Sequence, residues 1–288
     1  MDNKLNNMIN EFLKDAKDKD ELNEKLQEFM ERYNNGEIEY ENTILDDAYD
    51  LLERAEQAKN KKQAIKLAKE AYDMCPDCFE AILFQVNLED NSLKRWDLLN
   101  EGLEFERERL EDENYFDKGN IGHFYGIFET RPYIRGLYTK ATLLLLDGKI
   151  KQARDVCKEI LRLNESDNTG TRYLLMAIYA YLEEEKEMLK LYKKYNEENL
   201  EMLFPLFALY YKLGIYDKAD DYLKRINRSN KNFIKFFKDT IKVDDDYMEG
   251  YYSMGDSSEV IMYFQNYFFL VGTMPTIGDY VIEDSKKK

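Results

Sequence analysis

Gly148-Lys149-Ile150-Lys151-Gln152-Ala153 returns 66 residues later as Gly214-Ile215-Tyr216-Asp217-Lys218-Ala219. The interval is two periods of about 33 residues, which is the length of a helix–turn–helix repeat of the tetratricopeptide class. Each hexapeptide reads as the end of one helix and the start of the next. Glycine permits the left-handed turn, and alanine lets two helices approach closely. The spacing predicts an all-α chain: a right-handed α-α superhelix, that is, a tetratricopeptide-like solenoid of antiparallel helix pairs. A chain of this kind works as a binding surface.

Further copies fit the same template. With Gly148 at the fifteenth position, one repeat covers about 134–167, with Ala141, Ala153 and Ile160 at its small-residue positions. The next, about 168–199, is degenerate and has Leu182 or Glu183 where glycine would stand. A third covers about 200–233, with Gly214, Ala219 and Ile226 in place. An early one spans about 45–78, where Ala64, Ala68 and Ala71 precede a closing Pro76.

Residues 1–43 read as an N-terminal helical cap. Its candidate buried stripe is Phe12, Leu13, Leu22, Leu26, Phe29 and Met30, and Asn34-Asn35-Gly36 breaks its last helix. Residues 44–241 carry the repeats, with helices expected near 44–74, 79–90 and 92–112 and an irregular insertion near 112–131. Residues 242–288 form a C-terminal loop, over 242–247 and 250–256, and a capping helix over 257–270. That helix has Ser257 or Ser258 as N-cap and Glu259 in its first turn, and it is expected to cover the open end of the array.

Composition agrees with helix throughout: among 288 residues only 4 are proline and 13 glycine. The net charge of −16 argues against a general nucleic-acid binder, because phosphate backbones are held by Lys and Arg. No stretch reaches the roughly 18 apolar residues that suggest a membrane span. Met1-Asp2-Asn3-Lys4-Leu5-Asn6-Asn7 lacks the basic and apolar segments of a secretory signal, so a cytoplasmic location is expected.

Cys75-Pro76-Asp77-Cys78 has the two-residue spacing of redox pairs and zinc knuckles. No second cysteine pair supplies the remaining ligands, and the motif lies at a repeat boundary instead of opening a helix after a strand. His123 and Cys157 lie far away in sequence, so Cys75 and Cys78 read as small packing residues, and no metal or cofactor is expected. No phosphate loop, GxSxG or HExxH motif occurs. The acidic runs 183–185 and 244–246 read as solvated, and His123, among Phe124, Tyr125 and Phe128, reads as a packed histidine. No catalytic residue and no enzymatic activity are expected.

Two further stretches carry a family resemblance. Gly122-His123-Phe124-Tyr125-Gly126-Ile127-Phe128-Glu129-Thr130-Arg131-Pro132-Tyr133-Ile134-Arg135 resembles a GHFWG…ETRPYMR segment. Leu161-Arg162-Leu163-Asn164-Glu165-Ser166-Asp167-Asn168-Thr169-Gly170-Thr171-Arg172-Tyr173-Leu174 resembles LRLNPNDNQGVRYLL, and Tyr251-Tyr252-Ser253-Met254-Gly255-Asp256 is similar to YYSPGS. Together, over roughly 60–275, these look like the bacterial tetratricopeptide proteins related to the suppressor of tumorigenicity 7 family. The chain departs from those segments at Glu165, where they carry proline, and at Tyr125, where they carry tryptophan. The resemblance implies the fold and little function.

Within Glu129-Thr130-Arg131-Pro132-Tyr133-Ile134-Arg135, Pro132 suits the first turn of a helix, with Thr130 as N-cap and Glu129, Arg131 and Arg135 available for ion pairs. In tetratricopeptide arrays, as the resemblance implies, first-helix positions 2, 5, 9 and 12 line the groove. These are Arg135, Tyr138, Thr142 and Leu145, then Thr169, Arg172, Met176 and Tyr179, then Glu201, Phe204, Ala208 and Tyr211. The candidate peptide-binding residues are Arg135, Tyr138, Thr142, Arg172, Met176, Tyr179, Phe204 and Tyr211, a lining suited to a peptide with an apolar side chain and a carboxylate. The two arginines have a structural alternative as partners of carboxylates. Thr139, Tyr173 and Pro205 stand where a standard carboxylate clamp needs asparagine. The expected function is a non-catalytic scaffold for a protein or peptide partner, with neither nucleic acid nor membrane among its partners. The alternative is a peptide-responsive regulatory sensor of the same class.

Overall fold

The computed structural model describes residues 3–38, 40–242 and 251–286, and among them the secondary structure is sixteen helices and two isolated bridges. Two compact units divide the chain at 115/116, inside the span that sequence periodicity treats as one block.

The first unit contains α1 (Asn3–Leu13), α2 (Lys19–Asn34), α3 (Ile44–Glu56), α4 (Lys61–Met74), α5 (Phe79–Leu88) and α6 (Ser92–Asp112). Short polar residues start these helices by satisfying amides that no helical turn reaches. Asp18 accepts from the amides of Asp20 and Glu21, Asn60 from that of Gln63, and Asn91 from that of Lys94. Thr43 and Asp46 cap α3 reciprocally. Consecutive helices α3–α4 and α5–α6 pack as antiparallel-like pairs. Alanines make the close seam: Ala48, Ala55, Ala68, Ala71 and Ala81 are buried together with Cys75 and Cys78. The cysteines are free thiols inside this core, and burial pushes the Cys78 thiol up to about 12.

The stripe expected on α1 and α2 is buried only in part. Phe29 is sealed against Phe12, ring centroids 5.5 Å apart, but Leu22, Leu26 and Met30 are exposed. Phe29 is thus the one position of that stripe on α2 that the fold seals, whereas its neighbours on the same face stay in contact with solvent.

The second unit opens with the irregular segment 116–130 and continues through α7 (Arg131–Leu146), α8 (Ile150–Leu163), α9 (Thr171–Leu182), α10 (Glu185–Tyr195), α11 (Leu200–Lys212) and α12 (Tyr216–Ser229). Gly148 and Gly214 hold φ of +71° and +70° at the α7–α8 and α11–α12 turns, where an L side chain would be strained. In the degenerate repeat the same left-handed corner falls on Glu183, φ +60°. There Lys212 donates to the carbonyls of Ala180 and Tyr181, closing the end of α9, and pairs with Glu183 at 3.1 Å. Ala141, Ala153, Ile160, Ala219 and Ile226 are all fully buried along the seams.

The irregular segment is tied to the end of α8. Gly122 and Phe124 donate their amides to the Leu163 carbonyl at 3.1 and 3.0 Å, and the Glu165 amide donates to the Gly122 carbonyl at 2.8 Å. Two of the stretches that carry the family resemblance therefore pack against each other. Phe124 is buried in this joint, whereas His123 is exposed, contrary to the packed histidine expected from its aromatic neighbours. The bridge fixes the backbone on both sides of His123 and leaves its side chain outside. Thr130 occupies the N-cap position of α7 but turns its hydroxyl back to the carbonyls of Phe124 and Ile127. Arg131 likewise donates to the Tyr125 carbonyl at 2.7 Å and lies over the rings of Tyr125 and Phe128, so it anchors the segment through carbonyl and ring contacts.

After α12 come α13 (Asn232–Phe237), α14 (Ser257–Asn266), α15 (Phe268–Val271) and α16 (Ile277–Lys286). The expected loop at 243–247 and Gly250 lie outside the described residues, and 251–256 is irregular. The expected single helix 257–270 is broken at Tyr267, and Asp256, not a serine, is its N-cap, accepting from the Ser258 amide at 2.7 Å. These helices do more than cover an end. α16 packs on α13, α14 on α11 and α13, and α15 on α9. The reason is apolar: Phe204, Phe207 and Tyr211 line one face of α11, and burying an aromatic side chain is worth about 1.5–3 kcal/mol. Among the described residues, no helix is long and apolar enough to cross a membrane.

Candidate functional site

The N-termini of α9 and α11 are joined by one polar network. Asp167, in left-handed backbone at φ +49°, accepts from the amides of Thr171 (2.7 Å) and Arg172 (2.9 Å), supplying negative charge where the α9 dipole favours it. The Arg172 guanidinium donates to the same carboxylate at 2.8 Å, to the Tyr173 hydroxyl at 2.6 Å and to Glu197 at 3.1 Å. It also stacks 4.0 Å from the Tyr173 ring centroid. Glu197 accepts from the Tyr173 hydroxyl and from Asn199, and Asn199 in turn caps α11 through the Met202 amide.

Beside this network lies a cavity of about 370 Å³, roofed by the C-terminal segment. Tyr138 of α7, Tyr173 of α9 and Glu201 of α11 form one side of it. Tyr252, Tyr263 and Tyr267 of the C-terminal segment form the other. Glu201 is 7% exposed, and one of its carboxylate oxygens, Oε2, has no hydrogen-bond partner among the described residues. Burial pushes its carboxyl above the ordinary range, opposed by the Tyr252 hydroxyl beside it, and the charges of Glu259 and Glu197 push it further. Nε of Arg172 and the hydroxyl of Tyr263 are likewise buried without partners among the described residues. Three orphaned polar atoms around one cavity are unusual, because each such group costs about 1–3 kcal/mol unless something pairs with it.

The eight residues expected to line a peptide groove divide into four groups. Tyr138 and Arg172 line the cavity. Met176 and Tyr179 are buried in the core of the repeats. Phe204 is fully buried within an aromatic cluster, 5.2 Å from Tyr263 and 5.3 Å from Phe264, and Tyr211 shares a 2.7 Å hydrogen bond with Thr276 and packs on Tyr280. Arg135 and Thr142 are exposed on α7, the threonine hydroxyl donating back to the Tyr138 carbonyl. The chain's own C-terminal residues thus occupy much of the face assigned to a ligand. Arg172 also has both terminal nitrogens committed to its own carboxylates, so a ligand carboxylate would have to displace them.

Glu201 stood at a groove position in the repeat register, whereas Tyr252, Tyr263 and Tyr267 had no register to reveal them. Their signal was the tyrosine density of the segment 251–267, four tyrosines in seventeen residues.

No protein-family model matches this chain, and no curated protein matches it significantly.

Proposed function

We propose that the chain is a non-catalytic, tetratricopeptide-like binding protein of the kind its motifs resemble, with the right-handed α-α superhelical pairing of that class and a helical protein or peptide segment as its ligand. The observation that carries this reading is the occupied face. α9 and α11 hold α14 and α15 by aromatic contacts, so this surface is already shaped to receive an amphipathic segment. The C-terminal helices act as a resident occupant that a partner displaces or extends. The three buried, free cysteines accord with a reducing, cytoplasmic setting.

Peptide selection against the full chain, followed by titration, tests the reading. Selected peptides are expected to be aromatic and helical, with Kd tighter than about 100 μM. They should bind more strongly to Tyr280→Ala, which loosens the hold of α16 on Phe207 and Tyr211. If no peptide binds the folded chain, or the winners are indifferent to Tyr280→Ala, the groove reading fails.

A further inference from the structure

The cavity under the C-terminal segment has the chemistry of a cation site. Five of its lining residues are tyrosines, whose ring faces attract positive charge. Its buried carboxylate, Glu201, has an oxygen with no partner among the described residues. The nearest fixed cation does not answer it: Arg172 is shared between Asp167 and Glu197, so that cluster is already net negative before Glu201 is counted. Glu259 adds a further buried carboxylate, held by Asn230 and the Gly255 amide. An anionic ligand would meet this field with its one free donor from Arg172, whereas an organic cation would supply the charge that the site lacks.

We propose that this cavity binds an alkylammonium group, seated against Glu201 and enclosed by the tyrosine rings of Tyr138, Tyr173, Tyr252, Tyr263 and Tyr267. A cage of aromatic faces with one carboxylate suits a primary or methylated ammonium, because the rings replace part of its hydration and the carboxylate balances its charge. The volume of about 370 Å³ admits a small organic cation or the end of a lysine side chain. Arg172 Nε and the Tyr263 hydroxyl remain as donors for a carbonyl or hydroxyl elsewhere on the ligand. The overall charge of −16 raises the local concentration of any such cation. This site does not depend on the groove reading, since a free amine tests it whether or not any peptide binds.

Calorimetric titration of the full chain decides the matter with four probes. Choline and n-butylammonium represent free amines, 3,3-dimethylbutan-1-ol is the uncharged isostere of choline, and Nα-acetyl-lysine methylamide represents a lysine side chain of a partner. At least one of the cations is expected to bind, and the neutral isostere to bind about tenfold or more weakly. Glu201→Gln, which keeps shape and removes charge, should weaken the cation by about tenfold or more. Tyr138→Leu should weaken it severalfold and provides the same test if Glu201→Gln is unstable. Binding of the lysine derivative alone assigns the site to a partner's side chain, and binding of the free amines assigns it to a small molecule; both support the proposal. It is overturned if no cation gives heat of binding, the result for a cavity that holds only water. Equal affinity for the isostere, or unchanged cation affinity in folded Glu201→Gln and Tyr138→Leu, overturns it as well.

Discussion

Replacing Arg172 with alanine separates a structural arginine from a ligand-binding one. The side chain of Asp167 is fully buried and that of Arg172 is 16% exposed, with 2.8 Å between their charged atoms. Removing one partner of a buried ion pair costs about 3–5 kcal/mol, because the other charge stays buried and unpaired. Here the aspartate keeps two backbone amides at a helix N-terminus, which lowers the penalty to about 2–4 kcal/mol. For a unit of this size each kcal/mol moves the midpoint by about 2–4 °C, so a fall in Tm of roughly 5–15 °C is expected. Thermal melts monitored by circular dichroism measure it. Asp167→Asn in the Arg172→Ala background should recover part of the loss, since the stranded charge is then gone. Arg135→Ala, on an exposed side chain, should cost under about 1 kcal/mol. A melt of Arg172→Ala within about 2 °C of the parent, or a loss at Arg135 as large as at Arg172, would refute the structural assignment.

Ala153→Leu and Ala219→Leu should each destabilise by about 1–3 kcal/mol by overpacking fully buried seams, read from chemical denaturation midpoints. Phe204→Ala should cost about 3–5 kcal/mol, since the ring is sealed by Phe233, Tyr263 and Phe264; a loss below about 1 kcal/mol would mean that the face is open in solution. Gly214→Ala should cost about 1 kcal/mol through backbone strain alone, because nothing lies within 4 Å of the added methyl; an unchanged melt would show that the turn relaxes. Cys78 and Cys157, both buried with thiols pushed up to about 12, should resist iodoacetamide at pH 8.5 in the native chain and react once it is unfolded, as mass spectrometry would show.

The helical class of the chain and the glycine corners of two helix pairs were legible in the sequence because their causes are local. Glycine at φ +71° and +70° and alanine at the seam each act within a turn or two of their own position, whereas Thr130 makes no capping bond and Asp256 takes the place of the serine expected to cap α14. Even the degenerate corner fell on one of the two residues marked for it, Glu183. The division at 115/116, the fold-back of α14 to α16 and the cavity were not legible, because they depend on contacts between residues far apart in the chain. Tyr211 meets Thr276 across 65 positions, and no periodicity records such a meeting. The charge logic of the site was decided the same way. The repeat register assigned Arg172 to a groove suited to a carboxylate, but the fold set Asp167 and Glu197 on its terminal nitrogens and left one Glu201 oxygen without a partner among the described residues. Sequence spacing determines which face of a helix a charge occupies; only packing determines whether that charge is already spent on a neighbour.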